Sequence, residues 1–173
     1  MKSYELYVCA PAEVGDADAE VKLVTFEGVP AETAGTRLVV AKASLWWRDT
    51  PLMDGANIGA IGDFEADDAE ATAILLEGAA GYLREQGCHI AVGPMNRNTW
   101  RAYRFMVESS GRGPFLLEPR NPAEVPGWWE SAGFSVLSRY SSSVIPLDGS
   151  GTILPALKAR LERSGVKILS ANR

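Results

Sequence analysis

The sequence predicts an α/β domain in which a β-rich first half leads into a strand, helix, strand, helix unit between Ile58 and Phe134. Short apolar runs separated by turn residues indicate the β-rich half, and an alanine-rich segment between two apolar runs indicates the helix of the unit. A chain of 173 residues is expected to form one domain, 1–173, that buries a full core without a metal or a disulfide. A strand, a helix and a neighbouring strand form a crossover unit, and ligands gather at the carboxyl ends of its strands.

In the first half, weak alternation of apolar and polar residues predicts strands, and glycine, proline and acidic residues predict the loops between them. The predicted strands are 4–10, 21–26 and 38–48, and the predicted loops are 11–20 and 27–36. The segment 49–55, which ends in Asp54-Gly55, is predicted to be a hairpin connection into Ile58.

The central helix has clear signals at both ends. Asp67 and Asp68 stand where carboxylates can accept the free N–H groups of a first turn, and Gly87 suits a C-terminal cap. Between them an apolar set recurs every three or four residues, so one face is predicted to be buried: Ala71, Leu75, Gly78, Ala79 and Tyr82. Gly78 and Gly81 each cost a helix about 1 kcal/mol relative to alanine, which predicts close approach of the helix to the sheet.

After this helix, Ile90 to Val92 is a short apolar run ended by Gly93-Pro94, typical of a strand covered on both faces. The other elements predicted in the second half are helices over 98–108, 123–132 and 153–164 and strands over 134–146 and 166–169. Leucines every three or four residues in 153–164 predict that this segment packs back. The strand at 166–169 offers an edge that pairs within the chain or across a homodimer.

Composition narrows the partners. A net charge of -5 disfavours nucleic acid, because phosphate binding needs clustered lysine and arginine. Cys9 and Cys88 lie in predicted strands without metal-ligand spacing, so they are predicted to be small buried side chains in a reducing compartment, with no metal bound. No apolar run approaches the ~20 residues of a membrane span, so a cytoplasmic protein is expected. The expected partner is a small-molecule ligand. His89, inside an apolar strand, is interpreted as structural.

The segment Trp128-Trp-Glu-Ser-Ala-Gly-Phe134, after a strand, helix, strand order, resembles the GNAT superfamily of acyl-CoA N-acyltransferases. Gly93-Pro-Met-Asn96 and the Asn121-Pro122 turn look like a bacterial branch of that superfamily whose members are largely uncharacterised. The resemblance covers about residues 38–146. It implies a mixed, mostly antiparallel sheet with helices on both faces.

The resemblance implies transfer of an acyl group from acetyl-CoA or another acyl-CoA to a small amine. The pantetheine arm would lie between two strands, 58–65 and 89–96, that part at their carboxyl ends, where a backbone N–H holds the thioester oxygen. The residues implied for the cofactor are Gly62, Phe64, Ala66 and Asn96. Because the amine attacks the thioester directly, the reaction needs only proximity and proton transfer, for which Tyr103 and Glu118 are the candidates.

Two positions depart from the family pattern. Asp63-Phe-Glu-Ala-Asp-Asp68 takes the place of the glycine-rich loop that binds the CoA pyrophosphate. Carboxylates that face the phosphates would repel them, since like charges about 4 Å apart near a protein surface repel by about 4 kcal/mol before screening. Trp129 stands where a tyrosine commonly protonates the leaving thiolate, and an indole cannot be that acid. An alternative function is therefore a non-catalytic GNAT-like binding or interaction module with a degenerate CoA site.

The segment from Asn96 to Arg104 begins where the second parting strand should end, so its side chains are expected to line a ligand cleft. Arginine forks bind carboxylates or phosphates, and tryptophans provide an apolar or cation-binding wall. The candidate substrate-binding residues are Trp46, Trp47, Asn98, Trp100, Arg101, Arg104 and Arg120. In this arrangement Trp100 is expected to be partly buried against Trp46 or Trp47. The alternative is a solvated helix start with core tryptophans.

Overall fold

Six strands and two helices make up residues 1–136, as far as the structure describes them. The strands are β1 (Ser3–Cys9), β2 (Val21–Gly28), β3 (Leu38–Trp46), β4 (Leu52–Met53), β5 (Ala56–Ala66) and β6 (Ile90–Val92), and the helices are α1 (Ala69–Glu85) and α2 (Val125–Ser131). The computed structural model describes residues 3–9, 19–28, 38–109, 111, 118–143, 159–161 and 163–165. Residues 137–173 form a second unit, whose described residues include a helical turn at 159–161 and 163.

The strands form one mixed sheet in the order β1-β2-β3-β5-β4, with every neighbouring pair antiparallel. Strand β6 pairs with β5 in parallel, from Ile58↔Ile90 to Ala60↔Val92. Helix α1 therefore connects two parallel neighbours, and the crossover unit predicted from the sequence is confirmed. The predicted mixed α and β architecture with a mostly antiparallel sheet is also confirmed, whereas the single domain 1–173 stays a prediction.

The hairpin between β4 and β5 follows from its turn residues. Asp54 and Gly55 both have positive φ, 50° and 78°, and the flanking Met53 pairs with Ala56. Two central residues of positive φ define the turn that matches the twist of adjacent antiparallel strands, and Asp-Gly favours it. The predicted connection is confirmed.

Helix α1 begins and ends where its sequence signals lie. Asp68 is the N-cap and accepts a hydrogen bond from the Ala71 N–H at 2.8 Å, and Gly87 follows the helix with a φ of 83°. The buried face consists of Ala71, Thr72, Leu75, Leu76, Ala79 and Leu83. Tyr82, predicted to be on this face, is half-buried. The buried face is therefore rotated about the helix axis by a fraction of a turn from its predicted position.

The two glycines of α1 are expected to respond differently to replacement by alanine. A Cβ atom on Gly78 would lie 2.1 Å from Leu6 Cδ2 of β1, whereas one on Gly81 would meet nothing within 4 Å. We expect Gly81→Ala to raise the free energy of unfolding by roughly 0.5 to 1 kcal/mol, because glycine loses more backbone entropy in a helix. In Gly78→Ala, displacement of Leu6 offsets this gain. Urea denaturation of both variants measures the difference, and a destabilised Gly81→Ala would contradict the expectation.

Both helices pack on one face of the sheet, where the larger hydrophobic cluster joins Leu23, Leu45 and Ile61 to α1 and to Val125 and Trp129 of α2. A smaller cluster covers the opposite face with Trp46, Ile58, Ala60 and Met95 among its members. The described residues place no helix on that second face. The predicted arrangement with helices on both faces is therefore not seen in this part of the chain.

Two predicted elements are wrong. Residues 98–108 form no helix, because the amides of Asn96 and Arg104 bond to the carbonyls of Ala102 and Pro94 and so fold the chain back on itself. Residues 134–143 form no strand, since none of their backbone pairs with a strand in the described part of the chain. The helix predicted over 123–132 is confirmed in a shorter form, as α2. Most of the predicted helix 153–164 and all of the predicted strand 166–169 lie outside the described residues.

The cysteines and the histidine differ in exposure. Cys9 is half-buried, and Cys88 is buried just before β6, where burial and then the negative charge of Glu20 raise the pKa of its thiol. His89 was interpreted as a structural residue inside a strand, but it is exposed and precedes β6. None of the helices among the described residues is long and apolar enough to cross a membrane.

Candidate functional site

Strand β5 is bulged near its carboxyl end. Its register with β3 shifts between Ser44↔Gly62 and Lys42↔Glu65, so two residues of β5, Asp63 and Phe64, stand opposite one residue of β3. Asp63 has a φ of 46°, in the left-handed region that non-glycine residues seldom adopt. Bulges redirect side chains and are frequent beside active sites. The bulge marks this end of β5 as the candidate site.

Among the described residues, no strand pairs with one side of this same end of β5. Pairing with β6 stops at Ala60↔Val92, although β5 continues for six residues to Ala66. Beyond that point the Met95 N–H donates to the Ile61 carbonyl at 2.8 Å. The two parallel strands thus separate at their carboxyl ends, beyond Ala60 of β5 and Val92 of β6, and we call the gap between them the parting. Ligands bind at this end of the strands in crossover units.

On the second face of the sheet the parting is closed by Asn96. Its Oδ1 accepts the Asp63 N–H at 2.9 Å, and its Nδ2 donates to Asp63 Oδ1 in a short hydrogen bond. A Cβ atom on Gly62 would lie 2.2 Å from Asn96 Oδ1 and 2.7 Å from the Met95 carbonyl oxygen. Only glycine lets the carboxamide of Asn96 lie this close to β5. The structure therefore brings together Gly62 and Asn96, two of the residues assigned to the cofactor.

On the first face the parting is filled by Trp129. A Cβ atom on Gly93 would lie 2.4 Å from Cη2 of the indole, so the ring lies directly against the backbone after β6. Three phenylalanine rings surround the indole with centroid distances of 4.9 to 5.4 Å and tilted or edge-on geometry: Phe64, Phe105 and Phe134. Phe64 and the half-buried Ala66 accordingly belong to the margin of the core. The family resemblance placed Trp129 at the position of the tyrosine that protonates the thiolate, but the packing of its ring among three phenylalanines was not predicted.

Residues 94–104 form a hairpin-like loop beyond the parting. The Asn96 N–H donates to the Ala102 carbonyl at 2.8 Å, and the Arg104 N–H donates to the Pro94 carbonyl at 2.9 Å. Arg97 and Arg104 have positive φ, 68° and 65°. The Arg97 guanidinium also pairs with Asp49 Oδ2 at 2.9 Å, which ties the loop to the connection between β3 and β4. Backbone strain of this kind concentrates at functional sites.

The expected tryptophan wall is not present. Trp100 is 96% exposed at the tip of the loop and is not buried against either Trp46 or Trp47. Trp46 is 1% exposed in the core of the second face, and Trp47 packs on Tyr82 of α1 with a centroid distance of 5.6 Å. The two neighbours point to opposite faces because side chains alternate along a strand. The prediction that these tryptophans line one cleft is wrong.

The polar residues predicted to bind substrate or to catalyse lie at separate positions along this loop and after it. The Arg104 guanidinium lies over the ring of Tyr103, 5.0 Å from its centroid, and donates to the phenol oxygen at 3.2 Å. Asn98 Oδ1 accepts the Trp100 N–H at 3.0 Å. Arg101 and Arg120 are exposed, and Glu118 is half-buried. Tyr103 also bridges to Met95, so of the two candidate catalytic residues Tyr103 lies next to the parting.

The start of α1 is acidic and already hydrogen-bonded. Glu65, Asp67 and Glu70 are exposed, and Lys42 pairs with Glu65 at 2.9 Å. The amides of residues 67, 71 and 72 donate to the Val40 carbonyl, the Asp68 side chain and the Asp68 carbonyl. A phosphate at this helix end would meet carboxylates and few available N–H groups. The exposed carboxylates of this acidic segment therefore lie before and within the first turn of α1, where a phosphate would bind.

Two surface grooves lie elsewhere. One of about 610 Å³ runs between α1 and residues 131–134, and one of about 100 Å³ lies beside the C-terminal end of α1. Neither groove is lined by Phe64, one of the residues implied for the cofactor. No cluster of metal-ligating side chains is found within the described ranges.

Comparison of the chain with protein-family models, with curated proteins and with solved structures finds no match. The interpretation of the site therefore depends on its own geometry and chemistry.

Proposed function

We propose that the chain has a GNAT-like architecture and transfers an acyl group from an acyl-CoA to a small amine. The observation that carries this proposal is the carboxyl end of β5, where a bulge at Asp63 coincides with the parting from the parallel strand β6. An acyl thioester placed in this parting would lie beside a main-chain N–H that none of the described strands uses. The short parallel pairing supports this position for the acyl group.

The Asp63 N–H is the proposed donor to the thioester oxygen. Asn96 Oδ1 accepts this N–H at 2.9 Å and so occupies the position that the oxygen would take. Acyl-CoA binding then requires the Asn96 carboxamide to move aside. A donor aimed at the developing negative oxygen stabilises the transition state more than the ground state.

The transfer itself needs no nucleophilic side chain. The neutral amine attacks the thioester carbon, the carbon–nitrogen bond forms, the carbon–sulfur bond breaks, and one proton passes from nitrogen to the departing sulfur. Tyr103 is the proposed proton donor because its backbone bridges to Met95 beside the parting, and Glu118 is the proposed acceptor. Trp129 provides apolar packing. Its indole N–H is a hydrogen-bond donor but not an acid that could protonate the thiolate.

A second function is favoured by the acidic start of α1. Glu65, Asp67 and Glu70 surround the helix end that would meet the CoA pyrophosphate, and Asn96 and Trp129 fill the parting. A GNAT-like module that binds a small ligand without acyl-CoA would have this arrangement. The two functions differ in whether acyl-CoA binds at all.

Titration calorimetry with acetyl-CoA separates them. We expect acetyl-CoA to bind more weakly than the low micromolar range, and Asp67→Asn to tighten binding roughly two- to fivefold, because removal of an exposed charge changes an interaction by about 1 kcal/mol or less. Glu85→Gln is the matched control, since it removes the same charge roughly 25 Å away at the other end of α1.

A low micromolar dissociation constant for the unaltered protein would contradict the repulsion argument. The absence of binding in both Asp67→Asn and the unaltered protein would exclude the acyltransferase and leave the binding module. Release of free thiol from acetyl-CoA in the presence of small amines then tests transfer directly.

A further inference from the structure

Two oxygen atoms at the β5 bulge are buried without a hydrogen-bond partner among the described residues, Asp63 Oδ2 and Ser44 Oγ. Asp63 is half-buried, and its other oxygen accepts from Asn96 Nδ2. No lysine or arginine in the described part of the chain forms an ion pair with Asp63. A carboxylate oxygen removed from water and lacking a donor is costly, so the arrangement calls for a donor from elsewhere.

Ser44 lies on β3 opposite Gly62, the residue that precedes the bulge. It is 1% exposed and pairs with Gly62 across β3 and β5, and directly paired residues project to the same face of a sheet with Cβ positions about 5 Å apart. The Cβ position of Gly62 is 2.2 Å from Asn96 Oδ1. The Ser44 side chain therefore projects to the face of the sheet on which the Asn96 carboxamide lies.

We propose that Ser44, Asp63 and Asn96 form a binding site for the ammonium group of a primary amine. Asp63 Oδ2 supplies the negative charge, and Ser44 Oγ and Asn96 Oδ1 supply two more acceptors, which match the three N–H donors of a primary ammonium group. The same rotation of the Asn96 side chain that frees the Asp63 N–H for the thioester opens this half-buried carboxylate and turns Asn96 Oδ1 toward the small cation. The site rests on the proposed function, in which the amine is the acyl acceptor. The acceptor arrives as the ammonium ion, and one proton passes from it to solvent before the neutral amine attacks.

The chemistry of the three groups favours an ammonium ion over a metal ion. Ca²⁺ and Mg²⁺ take about six or more oxygen ligands, whereas three side-chain oxygens from a single carboxylate and two neutral groups are available here. The acceptors are directional, so they distinguish a cation that carries N–H donors from a cation of the same charge that does not. This distinction provides the test.

The test is a nuclear magnetic resonance titration of the ¹⁵N-labelled full chain with n-propylammonium chloride, compared with tetramethylammonium chloride at the same ionic strength. We expect n-propylammonium to shift the Asp63 backbone amide and the Asn96 side-chain amide saturably, and tetramethylammonium to leave both unchanged. Asp63→Asn is expected to weaken binding at least tenfold and Ser44→Ala severalfold. No acyl-CoA is present, so a failure of this site and a failure of acetyl-CoA binding are observed separately.

Asparagine suits the test because it tolerates the positive φ of Asp63, and its side-chain oxygen still accepts from Asn96. Asp54→Asn is the matched control: it removes the same charge at a φ of 50° in an exposed turn, and binding should not change. Equal shifts with the two cations, shifts absent with both, or unchanged binding in Asp63→Asn would each overturn the proposal. Should Asp63→Asn fail to fold, Ser44→Ala and the comparison of cations decide between the same outcomes.

Discussion

Replacing Trp129 with alanine is expected to lower the free energy of unfolding by about 3 to 5 kcal/mol, the range for loss of a large aromatic side chain from a core. Trp129 is 3% exposed and packs edge-on against Phe64, Phe105 and Phe134. Its removal leaves a cavity between α2 and the ends of β5 and β6. Urea denaturation followed by far-ultraviolet circular dichroism measures the loss without relying on the fluorescence of the deleted residue.

Trp100→Ala is the matched control for this experiment. It deletes the same side chain from a position that is 96% exposed, and substitutions at such positions usually change stability by no more than about 0.5 kcal/mol. Equal losses in the two variants would show that Trp100 is buried and would restore the predicted tryptophan wall. A small loss in Trp129→Ala would show that the parting of β5 and β6 is not filled by this indole.

Replacing Gly62 with alanine is expected to destabilise the protein by about 1 to 3 kcal/mol, the usual cost of an extra methyl group in a filled space. The new Cβ atom would lie 2.2 Å from Asn96 Oδ1 and 2.7 Å from the backbone oxygen of Met95. The side chain of Asn96 can rotate away, but the Met95 backbone can move less easily. We therefore expect Gly62→Ala also to break the hydrogen bonds that join Asn96 to Asp63.

Gly127→Ala in α2 is the control, because its Cβ atom would meet nothing within 4 Å. It should leave stability unchanged or raise it by up to about 1 kcal/mol. Urea denaturation gives the stability of each variant, and the side-chain amide signal of Asn96 reports on the contact with Asp63. If Gly62→Ala keeps the stability and the Asn96 side-chain signal of the unaltered protein, the close packing of Asn96 on β5 is wrong.

Local chemistry was enough to predict α1 and the hairpin before β5. Asp68 caps the helix with its own side chain, Gly87 ends it at positive φ, and Asp54-Gly55 forms the tight turn. Each of these features depends on residues only a few positions apart. The crossover from β5 through α1 to β6 was also predicted, because the length of the helix and the apolar runs on either side leave few other topologies.

The candidate site depended on contacts between distant segments. Asn96 was assigned to the site from the sequence, but its partner Asp63 was interpreted only as part of an acidic segment that repels phosphate. Their hydrogen bonds join residues 33 positions apart. Ser44 was not recognised, because a single serine in an apolar strand has no local signal of function.

By itself, the sequence determined the mixed α and β architecture, the limits of α1 and the place along the chain where β5 and β6 end, because caps, turns and apolar periodicity act over a few residues. Only the tertiary structure decided that β5 bulges at Asp63, that residues 94–104 fold back as a loop and not as a helix, and that Trp129 lies within the parting while Trp100 faces solvent. The reason is physical. A backbone amide takes its helical partner only if no better acceptor lies across the fold, and a tryptophan is buried only where the other segments leave room for it.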